Sequence, residues 1–278
     1  MTEITEGHFM SSVNGLHVLR DLRREGKLLP FVGAGLSIPL GLPSWEKLID
    51  IIARQLGYDP EVFKISGNSL QLAEYYVAVK GSIGPLRSEM DRLFNPSDEA
   101  IKNSRTHNAL ARMELPLIYT TNYDRIIERA FELNEEPCHT VANIDDISTA
   151  PARITQVVKF HGAFSDDDSL VLTESSYFDR LEFESALDIK LRADILGKCI
   201  LFLGYSLSDV NIRYMLYKLH KLRQQVKRDT NRAASAYLIT YGAGEVQRTL
   251  LARWGVSVIE LDPVNKTESM GDFLEELL

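Results

Sequence analysis

The sequence predicts an α/β protein built on a doubly wound parallel sheet. Three observations indicate this fold class: short apolar runs recur along the chain, helical patterns separate them, and several runs end directly in glycine or polar residues. Continuous apolar runs are typical of strands that are buried on both faces of a parallel sheet. The predicted strands cover residues 28–32, 117–119, 157–160, 199–203, 236–239 and 256–260.

Amphipathic helices are predicted between and after these strands, because apolar residues recur three and four positions apart. Asp124 directly precedes the first of these helices and is a suitable N-cap residue. The predicted apolar stripes comprise Ile126, Ile127, Ala130 and Phe131, then Val246, Leu250, Leu251 and Trp254, and finally Phe273, Leu274, Leu277 and Leu278.

Two stretches, residues 45–113 and 174–197, contain helical patterns in a row without a strand between them. We interpret them as insertions that pack together as a small, all-helical lobe on the sheet. The chain is then a single domain over residues 1–278, with the sheet core at about 20–44, 115–173 and 198–262 and a C-terminal helix at 267–278. The interface between such a lobe and the strand ends is a usual place for a ligand cleft.

Length, charge and cysteine content argue against several classes of protein. The 278 residues are 45% hydrophobic, and 31 Lys and Arg against 39 Asp and Glu give a net charge of −8, which disfavours nucleic acid as the primary ligand. The apolar runs are far shorter than the roughly 20 residues that cross a bilayer, and the acidic N-terminus does not resemble a secretory signal. Cys138 and Cys199 lack Cys-x-x-Cys partners, so we expect no metal site and a reduced, cytoplasmic protein.

The first polar motif follows the first strand and contains Gly33, Ala34, Gly35 and Ser37. A strand that runs into Gly-x-Gly lets backbone N–H groups approach a pyrophosphate, and a helix that follows directs its positive end at the charge. Position 38 is Ile38, so the third glycine of the dinucleotide fingerprint is missing, and no Gly-Lys-Ser/Thr signature of a P-loop is present. Gly-x-Gly alone is equally compatible with a plain tight turn.

The second polar motif contains Thr121, Asn122 and Asp124 and follows the strand at 117–119. Ligands of parallel sheets bind at the carboxyl ends of the strands, so polar side chains placed there point into a cleft. Capping of the next helix by Thr121 and Asp124 is the alternative role, and Asp124 can serve in both.

Two further strands end in polar motifs, one in His161-Gly162 and the other in Gly204-Tyr205-Ser206. An imidazole can act as a general base near neutral pH, although a lone histidine before glycine is more often structural. Glycine and hydroxyl groups in the second motif suit a ribose or a phosphate, and capping of the following helix is the alternative.

The four strand ends must lie on the same side of a parallel sheet, and their order resembles the sirtuin family, most closely its defence-associated bacterial branch. Sirtuins are similar in carrying Gly-Ala-Gly-x-Ser, Asn-x-Asp, a catalytic His-Gly and Gly-x-Ser in this order. The resemblance covers about residues 20–262. It implies a Rossmann-like fold with a small inserted lobe and an NAD+ site.

Two departures from the sirtuin pattern bear on activity. Zinc-dependent deacylating sirtuins carry two Cys-x-x-Cys pairs in the small lobe, and this chain has none, so no zinc module is expected. Those enzymes also carry Gly-Ile-Pro-Asp-Phe-Arg where this chain has residues 41–46, Gly-Leu-Pro-Ser-Trp-Glu, without the phosphate-facing arginine. The resemblance therefore favours NAD+ binding over protein deacylation.

The bacterial branch hydrolyses NAD+ during phage infection, so the resemblance implies an NAD+ glycohydrolase that uses NAD+ as its substrate and no metal. His161 is the expected general base, Asn122 the residue that holds water and the ribose hydroxyls, and Asp124 its support. The residues expected to bind NAD+ are Gly33, Ala34, Gly35 and Ser37 at the pyrophosphate, Gly204 and Ser206 on the adenosine side, and Thr121.

Uncontrolled loss of NAD+ would kill the host cell, so we expect control by self-assembly into a homo-oligomer or by a separate protein. A HerA-type hexameric DNA-translocating ATPase is the partner that the resemblance implies, with no membrane association and no direct binding of nucleic acid. The alternative functions are a regulatory subunit that binds NAD+ or ADP-ribose without turnover, and residual deacylase or ADP-ribosyltransferase activity.

Some remaining polar residues receive a structural interpretation. His107 is assigned a structural or surface role, and Cys138 and His139 are not expected to form a catalytic pair because neighbours in an extended segment point to opposite faces. Asp166–Asp168 is interpreted as a solvated turn. The basic stretch at 218–232 is either a solvated helix end or a docking face for a partner or nucleic acid.

Overall fold

The chain folds around a sheet in which each strand is parallel to its neighbours. The computed structural model describes residues 12–182, 184–205, 210–224 and 235–278. Within these ranges the strands follow the order β3-β4-β2-β1-β5-β6-β7 across the sheet. They are β1 (Leu28–Val32), β2 (Leu117–Thr120), β3 (Cys138–Val141), β4 (Thr155–Lys159), β5 (Cys199–Leu203), β6 (Ala236–Thr240) and β7 (Val256–Glu260).

Helices connect the strands and cover both faces of the sheet. They are α1 (Ser12–Arg24), α2 (Trp45–Leu56), α3 (Pro60–Lys64), α4 (Ser69–Lys80), α5 (Gly84–Leu93), α6 (Asp98–Lys102), α7 (Arg105–Ala111), α8 (Ile126–Leu133), α9 (Ile144–Thr149), α10 (Glu174–Glu182), α11 (Ala186–Asp194), α12 (Val210–Gln224), α13 (Glu245–Arg253) and α14 (Lys266–Glu276). No described helix combines the length and the apolar character that crossing a bilayer requires.

Two hydrophobic clusters sandwich the sheet, because successive side chains of a strand point to opposite faces. In β1, Leu28 and Val32 belong to one cluster, and Leu29 and Phe31 belong to the other. Residues of α1, α7, α8 and α14 complete the first cluster, and residues of α11, α12 and α13 complete the second. Burial of both strand faces explains why these strands read as continuous apolar runs.

The sheet extends outward from β1 on both sides. Strands β2, β4 and β3 lie on one side of β1, and β5, β6 and β7 lie on the other. Such an arrangement opens a crevice at the carboxyl ends of the strands, and ligands of doubly wound sheets bind there. The Rossmann-like, doubly wound parallel sheet predicted from the sequence is confirmed.

Strand β3 was not predicted, because it lies at the edge of the sheet and three of its four residues are partly exposed. Its sequence therefore contains no apolar run. His139 and Cys138 are neighbours on this strand, and the His139 Nε2 lies 3.2 Å from the carbonyl oxygen of Asp146. This imidazole contacts α9 and not the thiol, in line with the structural interpretation.

The helices differ from the sequence predictions in three places. Helix α1 was not predicted. In α13 only Leu251 of the helix stripe is buried, while Val246 is 73% exposed and Leu250 is 42% exposed. The cap residue of α8 is Arg125 and not Asp124, although the Asp124 carboxylate accepts the N–H of Ile126 at 3.0 Å.

The two predicted insertions contribute to different cores. Helices α2, α3, α4 and α5 form a third hydrophobic cluster together with Tyr123, Phe164 and Leu172 from the loops after β2 and β4. The Glu74 carboxylate on α4 accepts the N–H of Ser175 on α10 at 3.0 Å. Helices α7 and α11 instead pack against opposite faces of the sheet.

Candidate active site

A cavity of about 1090 Å³ lies at the carboxyl ends of the central strands. Its walls come from the segments that follow β1, β2, β4, β5 and β6, and from helices α2 and α10. Neighbouring strands lie about 4.8 Å apart, so a crevice across five of them extends roughly 19 Å. The cavity therefore spans the carboxyl ends of five neighbouring strands, where a doubly wound sheet binds a dinucleotide.

Glycines bring the loops after β1 and β5 into direct backbone contact. The N–H of Gly35 donates to the carbonyl oxygen of Gly204 at 2.9 Å, and a Cβ on Gly35 would lie 2.6 Å from that oxygen. Gly204 has a φ of +72°, a conformation that favours glycine. This approach explains why both loops carry glycine at these positions, whatever ligand they bind.

The chain after Gly33 forms short 3-10 turns, Ala34–Leu36 and Ile38–Leu40, instead of the α-helix that the phosphate-binding pattern predicts. The first α-helix of this connection begins only at Trp45. A full helix terminus therefore does not face the glycines. The N–H groups of Gly35 and Leu36 in this turn already donate to the carbonyl oxygens of Gly204 and Gly33.

Tyr205 fastens three strand ends together, and its role was missed in the sequence. Its hydroxyl donates to the carbonyl oxygen of Val32 at 3.0 Å and lies 3.0 Å from the hydroxyl of Thr121. The ring covers Gly33, whose Cβ would lie 2.8 Å from it. The loops after β1, β2 and β5 are thus joined on the wall of the cavity.

Asn122 has one half of its amide fixed and the other half free. Its backbone N–H donates to the hydroxyl of Thr120 at 3.0 Å, and its Nδ2 donates to the hydroxyl of Ser37 at 3.4 Å. The side chain is only 5% exposed, and its Oδ1 has no hydrogen-bond partner among the described residues. A buried carbonyl oxygen without a partner on a cavity wall is an acceptor available to a ligand.

Ser37 and His107 form a buried layer behind Asn122. The Ser37 hydroxyl lies 3.4 Å from the Nε2 of His107, and the Nδ1 of His107 lies 2.7 Å from the hydroxyl of Ser104. Burial lowers the pKa of His107 to about 4, so its imidazole is neutral near pH 7. The structural interpretation of His107 agrees with this position, and the link to Ser37 was not foreseen.

His161 lies on the cavity wall after β4. Its ring contacts Tyr177 edge-on at 5.3 Å between centroids, and its carbonyl oxygen accepts the N–H of Val171 at 2.9 Å. Burial, and secondarily the charge of Arg180, lower the pKa of His161 to about 3. The imidazole is therefore neutral near pH 7 and can accept a proton. Gly162 has a φ of +86°, and a Cβ there would lie 2.1 Å from the carbonyl oxygen of Ser169.

Arg180 places a cation on the same wall and was missed in the sequence. Its guanidinium lies 4.9 Å from the centroid of the Phe160 ring, donates to the hydroxyl of Ser185 at 2.5 Å and lies 3.6 Å from the Asp188 carboxylate. Ser185 and Asp188 stand at the N-terminal end of α11. No sequence motif marks the residue, because it stands in a helix of ordinary charged composition.

Most of the site residues predicted from the sequence share this cavity. Gly33 and Ser37 lie directly behind the wall, and Ser206 lies outside the described residues. The predicted residues that line the cavity are Ala34, Gly35, Thr121, Asn122, Asp124, His161 and Gly204. Within the described ranges no three His, Cys, Asp or Glu side chains are grouped as metal ligands.

Comparison with known proteins places this chain among sirtuin-like proteins. It is 31% identical over 205 residues to the NAD(+) hydrolase ThsA of Bacillus cereus (strain MSX-D12), covering 73% of this chain and 41% of that protein. It is 28% identical over 253 residues to the protein of the same name from Acinetobacter baumannii (strain 532279), covering 87% and 51%. The defense-associated sirtuin 2 of Bacillus subtilis is 27% identical over 210 residues, covering 72% and 20%.

The chain thus spans between a fifth and about half of the length of these curated relatives. Among solved structures, the crystal structure of a Sir2 homolog–NAD complex aligns with 99% of this chain and 96% of that one, at 15% identity and a TM-score of 0.48. The family model described as SIR2-like domain matches residues 116–259, just over half of the chain. These residues hold the Asn122 and His161 motifs, and the chain belongs to the SIR2-like domain family.

Proposed function

We propose that this chain is an NAD+ glycohydrolase that converts NAD+ and water to nicotinamide, ADP-ribose and a proton. The observation that carries the proposal is that two groups line one cavity. One is the partnerless Oδ1 of Asn122, and the other is the neutral imidazole of His161. The ThsA relatives, which are named NAD(+) hydrolases, support the same reaction.

In this proposal the pyrophosphate lies against Ala34 and Gly35 on the cavity wall, Gly204 is on the adenosine side, and Thr121 adds a hydroxyl nearby. Ser206 is assigned to the adenosine side from the sequence alone, because it lies outside the described residues. Ser37 is fully buried, so it acts by holding Asn122. The Oδ1 of Asn122 accepts a hydrogen bond from a ribose hydroxyl or from the attacking water.

The chemical step breaks the bond between the ribose C1′ and the pyridinium nitrogen, and the bonding electrons leave with neutral nicotinamide. Positive charge develops on the ribose, and the oxygen of water bonds to C1′. His161 accepts the proton that the water releases, because its imidazole is unprotonated. Asp124, which is buried and also lines the cavity, supports the loop that carries Asn122.

A role in anti-phage defence by depletion of NAD+ follows from the same proposal, and the defense-associated relative supports it. Control of such an enzyme requires assembly, so we propose a cytoplasmic homo-oligomer and, as a second component, a HerA-type ATPase. Purification from the native host tests the partner. Recovery of the chain without an ATPase contradicts that part of the proposal alone.

Release of nicotinamide from NAD+ by the purified protein, alone and with candidate partners, tests the reaction. His161→Ala is expected to abolish release without lowering the melting temperature. His139→Ala is the matched control, because His139 lies on the edge strand β3 and contacts Asp146. If NAD+ binds and stays intact under every condition, the chain is a binding subunit and the hydrolase proposal is wrong.

A further inference from the structure

A buried ion pair lies directly beneath the proposed active site. Lys159 ends β4, and Glu128 lies on α8. The Nζ of Lys159 is 3.1 Å from the Oε1 of Glu128, and the two side chains are only 1% and 3% exposed. The two residues are 31 positions apart in the chain, so the pair exists only because the fold brings β4 and α8 together.

Lys159 also holds the loop that carries Asn122. Its Nζ donates to the backbone carbonyl oxygen of Asp124. Asp124 is two residues after Asn122, and Lys159 is two residues before His161. One ammonium group therefore joins the segment of Asn122 to the strand that leads into His161.

Two hydrogen bonds fasten the rest of this loop. The N–H of Thr121 donates to the carbonyl oxygen of Val32 at 3.2 Å, and the hydroxyl of Tyr123 donates to the carbonyl oxygen of Val171 at 2.7 Å. The contact from Lys159 is the one that links the loop to β4 through a side chain. An ammonium has three N–H donors, and Glu128 and the Asp124 carbonyl oxygen accept from it.

Stability alone does not account for the ion pair. Removing two charges from water costs several kcal/mol per ion, and a well-packed apolar pair of similar volume is often as stable or more stable. Removing only one partner is costly, because the other charge stays buried without compensation. What an apolar pair cannot do is donate a hydrogen bond to the Asp124 carbonyl oxygen.

We propose that the Lys159–Glu128 pair positions Asn122 relative to His161, and that Lys159 is a positioning residue of the reaction. The inference rests on the proposed NAD+ hydrolysis, and it concerns the geometry of the same site. Lys159 contacts neither substrate nor water, since its side chain is buried. Its effect passes through the backbone of residues 122–124.

The test replaces both charges together, as Lys159→Met with Glu128→Met. We expect a melting temperature equal to or above that of the wild type and a fall in kcat on the order of 100-fold, because displacing a catalytic group by about 1 Å costs that much. KM for NAD+ is expected to change less than threefold, since the turn after β1 is untouched. The matched control is Arg129→Met with Asp98→Met, an exposed pair that also involves α8.

A measurement independent of activity accompanies the kinetics. Deuterium exchange of the backbone amides of residues 121–126 is expected to be at least tenfold faster in the double variant, with exchange in β1 and β5 unchanged. Glu128→Gln keeps the volume and an acceptor for Lys159 but leaves the ammonium without its buried counter-charge, so its melting temperature is expected to fall. Its kcat is expected to stay within about fivefold of the wild type, because the hydrogen bond from Lys159 to the Asp124 carbonyl oxygen remains. Lys159→Met alone serves as the second variant if the double variant does not fold.

The outcomes separate the two proposals. Wild-type kcat and wild-type exchange in the double variant overturn the positioning role, and so does a Glu128→Gln variant that loses as much kcat as Lys159→Met. If the wild-type protein releases no nicotinamide, the hydrolase proposal fails, and the exchange measurement alone decides the positioning role. Faster exchange confined to residues 121–126 then supports it, and unchanged exchange overturns it.

Discussion

The cavity wall that carries Asn122, His161 and Arg180, here called the front wall, differs in hydrogen bonding from the layer of Ser37, His107 and Lys159 directly behind it. On the front wall, the Oδ1 of Asn122 has no partner among the described residues. Behind the wall, Ser37, His107 and Lys159 are all buried, and each is hydrogen bonded. A buried polar group without a partner costs free energy, so the free Oδ1 of Asn122 at the cavity indicates a place kept for a ligand.

The difference teaches how the site is held. The Oδ1 of Asn122 is left without a partner at the cavity, and the buried groups that hold Asn122 and its loop are hydrogen bonded. Such an arrangement lets polar groups keep their positions before the ligand arrives, which reduces the reorganisation that binding requires. Substitutions in the two layers are therefore expected to separate activity from stability.

Substitution on the front wall is expected to give the largest effect on activity. Asn122→Ala removes the free Oδ1 and one contact to Ser37, so we expect NAD+ hydrolysis to fall at least about 100-fold. The melting temperature is expected to stay within a few degrees, because a partnerless buried group is removed with the amide. A variant that unfolds, or that keeps wild-type turnover, contradicts the distinction between the layers.

Substitution at the backbone contact between Gly35 and Gly204 is expected to lower the free energy of unfolding. In Gly35→Ala the added Cβ meets the backbone oxygen of Gly204 at 2.6 Å, so a backbone shift costing about 1–3 kcal/mol is expected. Gly244→Ala is the control, because Gly244, like Gly35, lies outside the left-handed region and a Cβ there would meet only the Gln247 side chain at 4.0 Å. Urea unfolding checks the ranking. An equal loss in both variants would show that the contact of the two loops does not set the cost.

The layer behind the wall is expected to make stability depend on pH. His107 titrates near 6.5 when unfolded and at about 4 when folded. Between these values the unfolded chain binds a proton that the folded chain does not, so stability present above pH 6.5 is lost as the pH falls toward 4. The slope is at most about 1.4 kcal/mol per pH unit for each such histidine. His161 has a folded pKa of about 3 and adds a loss of the same sign.

Urea unfolding at pH 7 and pH 5 measures this loss. His107→Gln is expected to reduce the difference between the two free energies of unfolding, and His17→Gln, at an exposed position on α1, is expected to leave it unchanged. Equal pH dependence in all three proteins would mean that the buried imidazole of His107 does not carry the effect.

The smallest effect is expected from the cation on the front wall. Arg180 lowers the pKa of His161, second to burial, so Arg180→Met is expected to raise that pKa. Asp188→Asn is combined with it, because Asp188 is fully buried and would otherwise lose its cation. The acid limb of the pH–rate profile is expected to move to higher pH. A limb that moves to lower pH contradicts the assignment of this limb to His161.

Much of the fold was predictable from the sequence because the information is local. Six strands of the sheet were predicted, since burial on both faces imposes a continuous apolar run. The edge strand at Cys138–Val141 was not predicted, because its partly exposed residues form no continuous apolar run. The stripe at Val246 and Leu250 was misjudged because periodicity identifies an apolar face without identifying what covers it.

The sequence by itself determined the doubly wound sheet, the order of its polar strand ends and the sirtuin-like family. In a parallel sheet, strand ends that follow apolar runs must meet at one edge, so short motifs suffice. Tertiary structure alone decided that Ser37 lies behind Asn122, that Tyr205 joins three loops, that Arg180 faces the cavity and that Lys159 pairs with Glu128. These contacts join residues tens of positions apart, and their hydrogen bonding and burial depend on how the whole chain packs.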